Sequence, residues 1–343
     1  MRIYNYQKGT QRRLAVLDDK SLVDVIDALG GPSKLAARDR DALNDTIAFI
    51  EAGNRGLGLA RKAIRESRKT GKGRRNLART KLFAPIEPAV ILCSGENYWD
   101  HRDEKPVVEG KEPEFFIKLQ QCTNGPYDDI IYEPKITKKL DYETELVVII
   151  GKGAPRHIAK KDAKDYIYGY TIMNDVTARD RQVKMRPDGT SQYAVGPGKN
   201  FDTSAPMGPC IVTADEVGNP QKLQLRTLVN DQVRQSNTTG MMIWSVYDLV
   251  RFFSGFVTLK TGSAISTGTP GGTAWGTDPE LGGRGAKAGR KDISLATGYL
   301  NVGDVVTCEI DGIGHLRGRV VLPKGAKKSK PAVKRRPSGA KAA

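Results

Sequence analysis

Histidine is scarce in this chain, with three among 343 residues, and cysteine nearly so, with four. Cys93, Cys122, Cys210 and Cys308 stand far apart and form no C-x-x-C or zinc-type spacing, which argues against a zinc knuckle or a dithiol redox motif. None has a histidine beside it, so they are expected to be reduced, structural thiols. No apolar run approaches the roughly 18 residues of a membrane-spanning helix. The longest, such as the one ending in Val147, Val148, Ile149 and Ile150, have the length of buried strands. The opening residues, MRIYNYQKGTQRRL, lack the apolar centre of a secretory signal, and a cytoplasmic location with no membrane partner is expected.

Acidic residues are absent from one region and nearly absent from another. Residues 324–343 hold eight Lys/Arg and no acid, and residues 61–81 hold ten Lys/Arg against Glu66 alone. These two segments account for the whole net charge of +16, so the remainder of the chain is close to neutral. Clustered basic charge is the footprint of an anionic partner. Neither segment interleaves the aromatic residues that stack on bases, however, so no specific nucleic-acid partner is expected. The tail, 323–343, has too little apolar surface to offset its ordering entropy and is expected to be disordered.

Residues 1–84 read as an N-terminal module of short strands at 2–6 and 13–17, an apolar stretch at 22–29, a helical pattern from Pro32 to Gly53 and a basic helix over 57–68. Pro85 and Pro88 mark a boundary. From 85 to 322 short β-rich segments alternate with Gly/Pro turns, with helices expected at 159–166, 176–184 and 243–253. Many strands at irregular spacing predict an α+β, mainly β fold in which a mixed sheet curls on itself.

One of those strands carries acids. Residues 140–150 read as a single strand, in which side chains two apart share a face, so Asp141, Glu143 and Glu145 are expected to line up and run into Val147 and Ile149. Burying such a row uncompensated costs several kcal/mol per charge. Either a hard divalent cation sits there, the acids end in solvent, or they pair with Lys138, Lys139 or Arg179. Downstream, an apolar strand meets Asn174 and Asp175, placing another carboxylate at a strand end; Asp175 or Thr177 could instead cap a helix near Ala178.

Six motifs occur in order: Asn97-Tyr98-Trp99-Asp100-His101 through Glu104, Phe116-Ile117-Lys118, Asp141-Tyr142-Glu143-Thr144-Glu145, Gly169 through Gln182, Gly198-Lys199-Asn200-Phe201-Asp202-Thr203, and Thr267-Gly268-Thr269-Pro270. Gly303-Asp304 and Gly312-Ile313-Gly314 lie beyond them. Over residues 85–322 the chain resembles the fumarylacetoacetate hydrolase family. The resemblance implies that Glu143, Glu145 and Asp175 hold Mg²⁺ or Mn²⁺, and that His101 and Glu104 form an acid–base dyad. It implies that Lys199 stabilises developing negative charge, that Arg179, Gln182 and Thr269 contact substrate, and that Lys118 does so or forms an ion pair with the acids. Spacing of three between His101 and Glu104 suits one face of a short helix. His157 and His315 are read as structural.

The activity implied by the resemblance is that of a metal-dependent hydrolase, cleaving a carbon–carbon bond of a small 1,3-dioxo or 2-oxo acid, fumarylacetoacetate- or acylpyruvate-like, through an enolate at the metal. The alternative on the same scaffold is a 2-oxo acid decarboxylase or a 2-hydroxy-diene-dioate isomerase or tautomerase of aromatic catabolism. A homodimer is implied as well. Residues 183–197 are longer than in compact relatives, with Arg186 and Tyr193 as specificity candidates.

Overall fold

The computed structural model describes residues 1–104, 112–153, 156–284 and 294–325. The expected disorder of the tail, from 326 on, lies outside them. The fold is α+β with mixed sheets, as the strand spacing predicts. The larger sheet has twelve strands. Its main path runs 74–76, 21–24, 11–18, 2–8, 205–213, 167–174, 144–150, 264–266, 91–94 and 115–118, with 82–83 and 123–124 paired at its side. Most neighbours are antiparallel, but 264–266 runs parallel to 91–94. A second sheet of five strands orders 232–238, 224–229, 305–310, 314–321 and 130–131.

The strand Thr144–Ile150 is buried along its whole length because both of its faces are covered. Leu146, Val148 and Ile150 join Leu225, Val306, Ile310 and Leu316 of the second sheet in one core. Val147 and Ile149 point the other way, into a core shared with Ile3, Val16, Phe49, Ala60 and Ala63 of the N-terminal segment. A strand sandwiched in this way needs continuous rather than alternating hydrophobicity, which is what the sequence shows. The strands of residues 1–84 add to the same sheet, since Arg2–Lys8 pairs with Ala205–Thr213.

The expected helix from 32 to 53 is instead three short turns, Pro32–Lys34, Ala37–Asp41 and Thr46–Glu51, the last begun by Asp45, whose side chain accepts from Ala48 N. Local capping outcompetes the weak apolar periodicity there. The basic helix runs Asn54–Thr70, longer than expected, and ends at Gly71 in the left-handed conformation. It packs through Gly56, Ala60, Ala63 and Ser67 and turns Arg61, Lys62 and Arg65 to solvent. The expected helix at 176–184 shrinks to Arg179–Gln182, and that at 243–253 appears as Val246–Phe256 behind a Ser245/Asp248 capping box. All four cysteines are buried and unbridged. Among the described residues no helix is long and apolar enough to cross a membrane.

Candidate active site

Sheet register assembles the acids. Thr144 pairs with Asn174 across the antiparallel strands, so the residues at these two adjoining strand ends, Glu143 and Glu145 on one side and Asp175 on the other, meet at one point. One oxygen from each lies within 4.8 Å of the others, a gap that a hard cation with oxygen bonds of roughly 2.0–2.6 Å spans. All three carboxylates are buried.

Asp141 does not join them, contrary to the expected alignment. The strand breaks at Tyr142 and Glu143: Leu140–Asp141 forms its own two-residue ladder with Thr177–Ala178, and Glu143 N donates to Asn174 Oδ1 instead of a backbone carbonyl. The side-chain alternation is lost there, and Asp141 faces Arg179 and the 274–275 backbone. Neither Asp175 nor Thr177 caps the following helix; Thr177 Oγ1 donates to Asp175 O.

Three buried cations surround the acids. Lys199 Nζ lies 2.6 Å from Glu143 Oε2 and 2.8 Å from Asp175 Oδ2. Arg179 bonds Glu143 Oε1 through Nη2 and Asp141 Oδ2 through Nε at 2.8 Å. Of the three cationic partners weighed for the acids, only Arg179 meets them, for Lys139 bonds Asp278 and Glu280, and the Lys138 backbone N–H donates to Asp180. Lys118 Nζ lies 2.7 Å from Asp175 Oδ1 and donates to Lys199 O. It sits behind the cleft and does not line it, a placement that matches the ion-pair alternative.

Glu143 and Glu145 are driven apart electrostatically. Burial disfavours the Glu143 anion, but the charges of Lys199 and Arg179 hold its carboxyl down to about 2. For Glu145, burial, then the Asp175 and Glu143 charges, outweigh the Lys199 charge and the Ser266 hydrogen bond and push it up to about 8. Its hydrogen bonds, from Ser266 Oγ and Gly268 N, both fall on Oε2.

The donor set fits a divalent metal. Asp175 Oδ1 is buried and accepts no hydrogen bond, its Lys118 neighbour being close but off-axis. Once Glu145 is ionised, as ligation would require, the four acids Asp141, Glu143, Glu145 and Asp175 exceed the cations Lys118, Arg179 and Lys199 by one charge. An all-carboxylate oxygen set prefers Mg²⁺ or Mn²⁺ to softer ions.

His101 and Glu104 are paired. They close the turn Trp99–Arg102, with His101 Nδ1 2.8 Å from Glu104 Oε2. Burial lowers the imidazole's affinity for a proton, but the bond to Glu104 and its charge, with Glu143 beyond, outweigh this and hold His101 above its ordinary value. His101, Glu143, Glu145, Arg179, Gln182, Lys199 and Thr269 all line one cleft of about 430 Å³. Gln182 accepts from Arg179 Nη1 at 2.9 Å, and Thr269 donates to Thr144 O at 3.0 Å. Tyr193 lines the cleft as well. Arg186 is exposed in the turn of the 183–193 hairpin and does not. His157 and His315 lie away from it; His315 packs on Tyr127 at 5.6 Å.

Sequence patterns alone miss several residues of the site. Trp275 is stacked over Arg179 at 5.3 Å and meets His101 edge-on at 6.2 Å. Buried Gln235 reaches across from the second sheet to bond Thr269 Oγ1 and Pro270 O. The Gly-Gly-Thr-Ala-Trp-Gly run after Pro270 marks a tight turn near Thr269 and is the signal that could have pointed to Trp275. No local signal marks Gln235.

A model of the fumarylacetoacetate (FAA) hydrolase C-terminal domain matches residues 90–321. The chain belongs to the fumarylacetoacetate hydrolase family. This family member is 35% identical to human oxaloacetate tautomerase FAHD2A, mitochondrial, over 85% of its own length and 84% of the relative's. It is 34% identical to the fumarylacetoacetate hydrolase domain-containing protein 2 homolog of Dictyostelium discoideum, over 90% and 92%. Among solved structures, the fumarylacetoacetate hydrolase of Exiguobacterium antarcticum matches with a TM-score of 0.70 and 28% identity, covering 94% of this chain and 100% of that one. Maleylpyruvate hydrolase from Sphingobium sp. SYK-6, in complex with manganese(II) and pyruvate, matches with a TM-score of 0.68 and 27% identity over the same shares.

Proposed function

We propose that this protein is a divalent-metal-dependent enzyme that interconverts the keto and enol forms of an oxaloacetate-like 2-oxo acid. The observation that carries the reading is the buried His101–Glu104 pair lining the same cleft as the Glu143, Glu145 and Asp175 oxygens. Bound at those three carboxylates, Mg²⁺ or Mn²⁺ would polarise the substrate's oxo group and so acidify the neighbouring carbon. His101, whose Nδ1 is tied to Glu104, has Nε2 left to take the proton from that carbon and return it at oxygen. The Lys199 ammonium faces the negative charge that grows on the oxo oxygen. Arg179 and Gln182 orient the substrate carboxylate from one wall, and Thr269 from another. Similarity to the human oxaloacetate tautomerase over most of both chains supports the choice of reaction.

A second reading, carbon–carbon hydrolysis, draws on the maleylpyruvate hydrolase likeness. There His101 takes its proton from water instead of carbon. The test is to measure, on Mg²⁺- or Mn²⁺-loaded protein, decay of the oxaloacetate enol by its ultraviolet absorbance, cleavage of maleylpyruvate and pyruvate release from oxaloacetate. Enol decay well above the buffer rate with no cleavage supports tautomerisation. Cleavage of maleylpyruvate at a higher kcat/KM replaces it with hydrolysis.

A homodimer belongs to the same proposal. Phe115, Ile117 and Leu119 alternate outward along an edge strand and its extension, and the Phe115 ring lies 5.6 Å from that of exposed Phe256, next to exposed Val257. An apolar face of this kind suits a second copy of the chain.

A further inference from the structure

Two buried carboxylates from distant parts of the chain grip one short segment between them. Glu104 Oε1 accepts from Gly272 N at 2.6 Å, and its Oε2 from Thr273 Oγ1 at 3.2 Å. The next two residues belong to Asp141, whose Oδ1 accepts from Ala274 N at 3.0 Å and whose Oδ2 accepts from Trp275 N at 3.1 Å. Each acid has a further bond into the cleft: Glu104 to His101, and Asp141 to Arg179 Nε at 2.8 Å. The Trp275 ring closes the bridge by lying against both Arg179 and His101.

We propose that residues 272–275 form a tie-bar setting the distance between His101 and the Arg179–Glu143 end of the cleft, with Asp141 as the positioning residue that anchors it. The inference rests on the reading in which His101 handles the proton. Asp141 has no remaining capacity for another role. With Tyr142 N at 2.9 Å it accepts four donors, two on each oxygen, which uses the lone pairs a metal would need. Every donor belongs to a cleft residue or to the neighbour of one. The bar also runs without slack. Gly272 has a φ of 104°, and a Cβ there would lie 2.1 Å from Arg234 O; a Cβ on Gly276 would lie 2.6 Å from Glu104 Oε1. A misplacement of about 1 Å at such a site costs on the order of 10²-fold in rate.

The test uses Asp141→Asn and Ala274→Pro in the full chain. The proline deletes the N–H that Asp141 Oδ1 accepts without changing charge, at a φ of −64° that already suits it. Beside kcat and KM, two further readouts are taken: Mn²⁺ stoichiometry by calorimetry, and the titration of the His101 ring by NMR, which requires no turnover and so stands even if the assigned reaction fails. Both variants are expected to bind one Mn²⁺, to move the His101 midpoint down in the direction of Glu104→Gln, and to lower kcat by roughly 10²-fold with KM within about threefold. In combination with Glu104→Gln the shifts should be less than additive, because both acids act through the same bar. Loss of Mn²⁺ in Asp141→Asn would overturn the proposal by making Asp141 part of the ligand set. A shift in Asp141→Asn but none in Ala274→Pro would overturn it as bare electrostatics, and fully additive shifts would overturn it as two independent sites. Should Asp141→Asn not fold, Ala274→Pro decides.

Discussion

Two glutamates separated by a single residue are driven in opposite directions: Lys199 and Arg179 hold Glu143 ionised, while at Glu145 burial and the Asp175 and Glu143 charges outweigh Lys199. A metal held by Glu143, Glu145 and Asp175, as proposed, would reconcile them by supplying the missing positive charge. Glu145→Gln and Glu143→Gln are therefore expected to lose bound Mn²⁺ and turnover together, whereas His101→Ala loses about 10²–10⁴-fold in kcat with metal retained; metal analysis beside the assay separates the two classes. As the proposed base, His101 is also expected to set the pH response. A base works unprotonated, and its folded value is raised, so activity climbs with pH on a limb whose midpoint lies above 6.5. The sign for stability is opposite, since a raised histidine stabilises the fold below 6.5 and that contribution is lost as pH rises through the folded value. Glu104→Gln removes the favourable charge and shifts the rate limb to lower pH; an unmoved limb would mean another group is the base.

Elements, rather than single residues, fix how precisely these groups meet. The break between Leu140–Asp141 and Thr144–Ile150 turns one expected strand into two, sending Asp141 to Arg179 and leaving Glu143 and Glu145 beside Asp175. The Val246–Phe256 helix supplies Phe252 and Phe253, whose rings pack 5.9 and 5.5 Å from Phe115 at the cleft edge. Its Ser245 accepts from Asp248 N, and Ser245→Ala should cost about 1 kcal/mol, seen as a lower melting temperature with little change in kcat. Gly272→Ala combines a left-handed φ with a backbone clash, so a loss of roughly 1–3 kcal/mol together with activity is expected.

On the scale of the whole molecule, the Thr144–Ile150 strand is a wall between two cores. Leu146→Ala, fully buried, is expected to lose about 2–5 kcal/mol by denaturant titration, while the exposed Arg61→Ala stays within about 0.5 kcal/mol. Light scattering should report twice the chain mass, and Phe256→Glu should drive it toward one; a monomer in the parent protein would dismiss the proposed pairing.

Much of this was legible in the linear chain. The E-x-E pair, the Asn174-Asp175 strand end and the His101–Glu104 spacing lie within stretches of two to four residues, where backbone geometry governs which side chains share a face, and the resemblance to the family implied their roles. So do the buried strands, whose unbroken apolar runs require cover on both sides. The tertiary structure decided what depends on register and distant approach: that Asp175 lies beside Glu143, that Lys199 and Lys118 neutralise the acids, that Gln235 supports Thr269, and that Asp141 turns away from the acids it precedes. A carboxylate's role is set by whichever donors reach it, and here those donors come from residues up to 169 positions along the chain, a proximity that only the folded sheet creates.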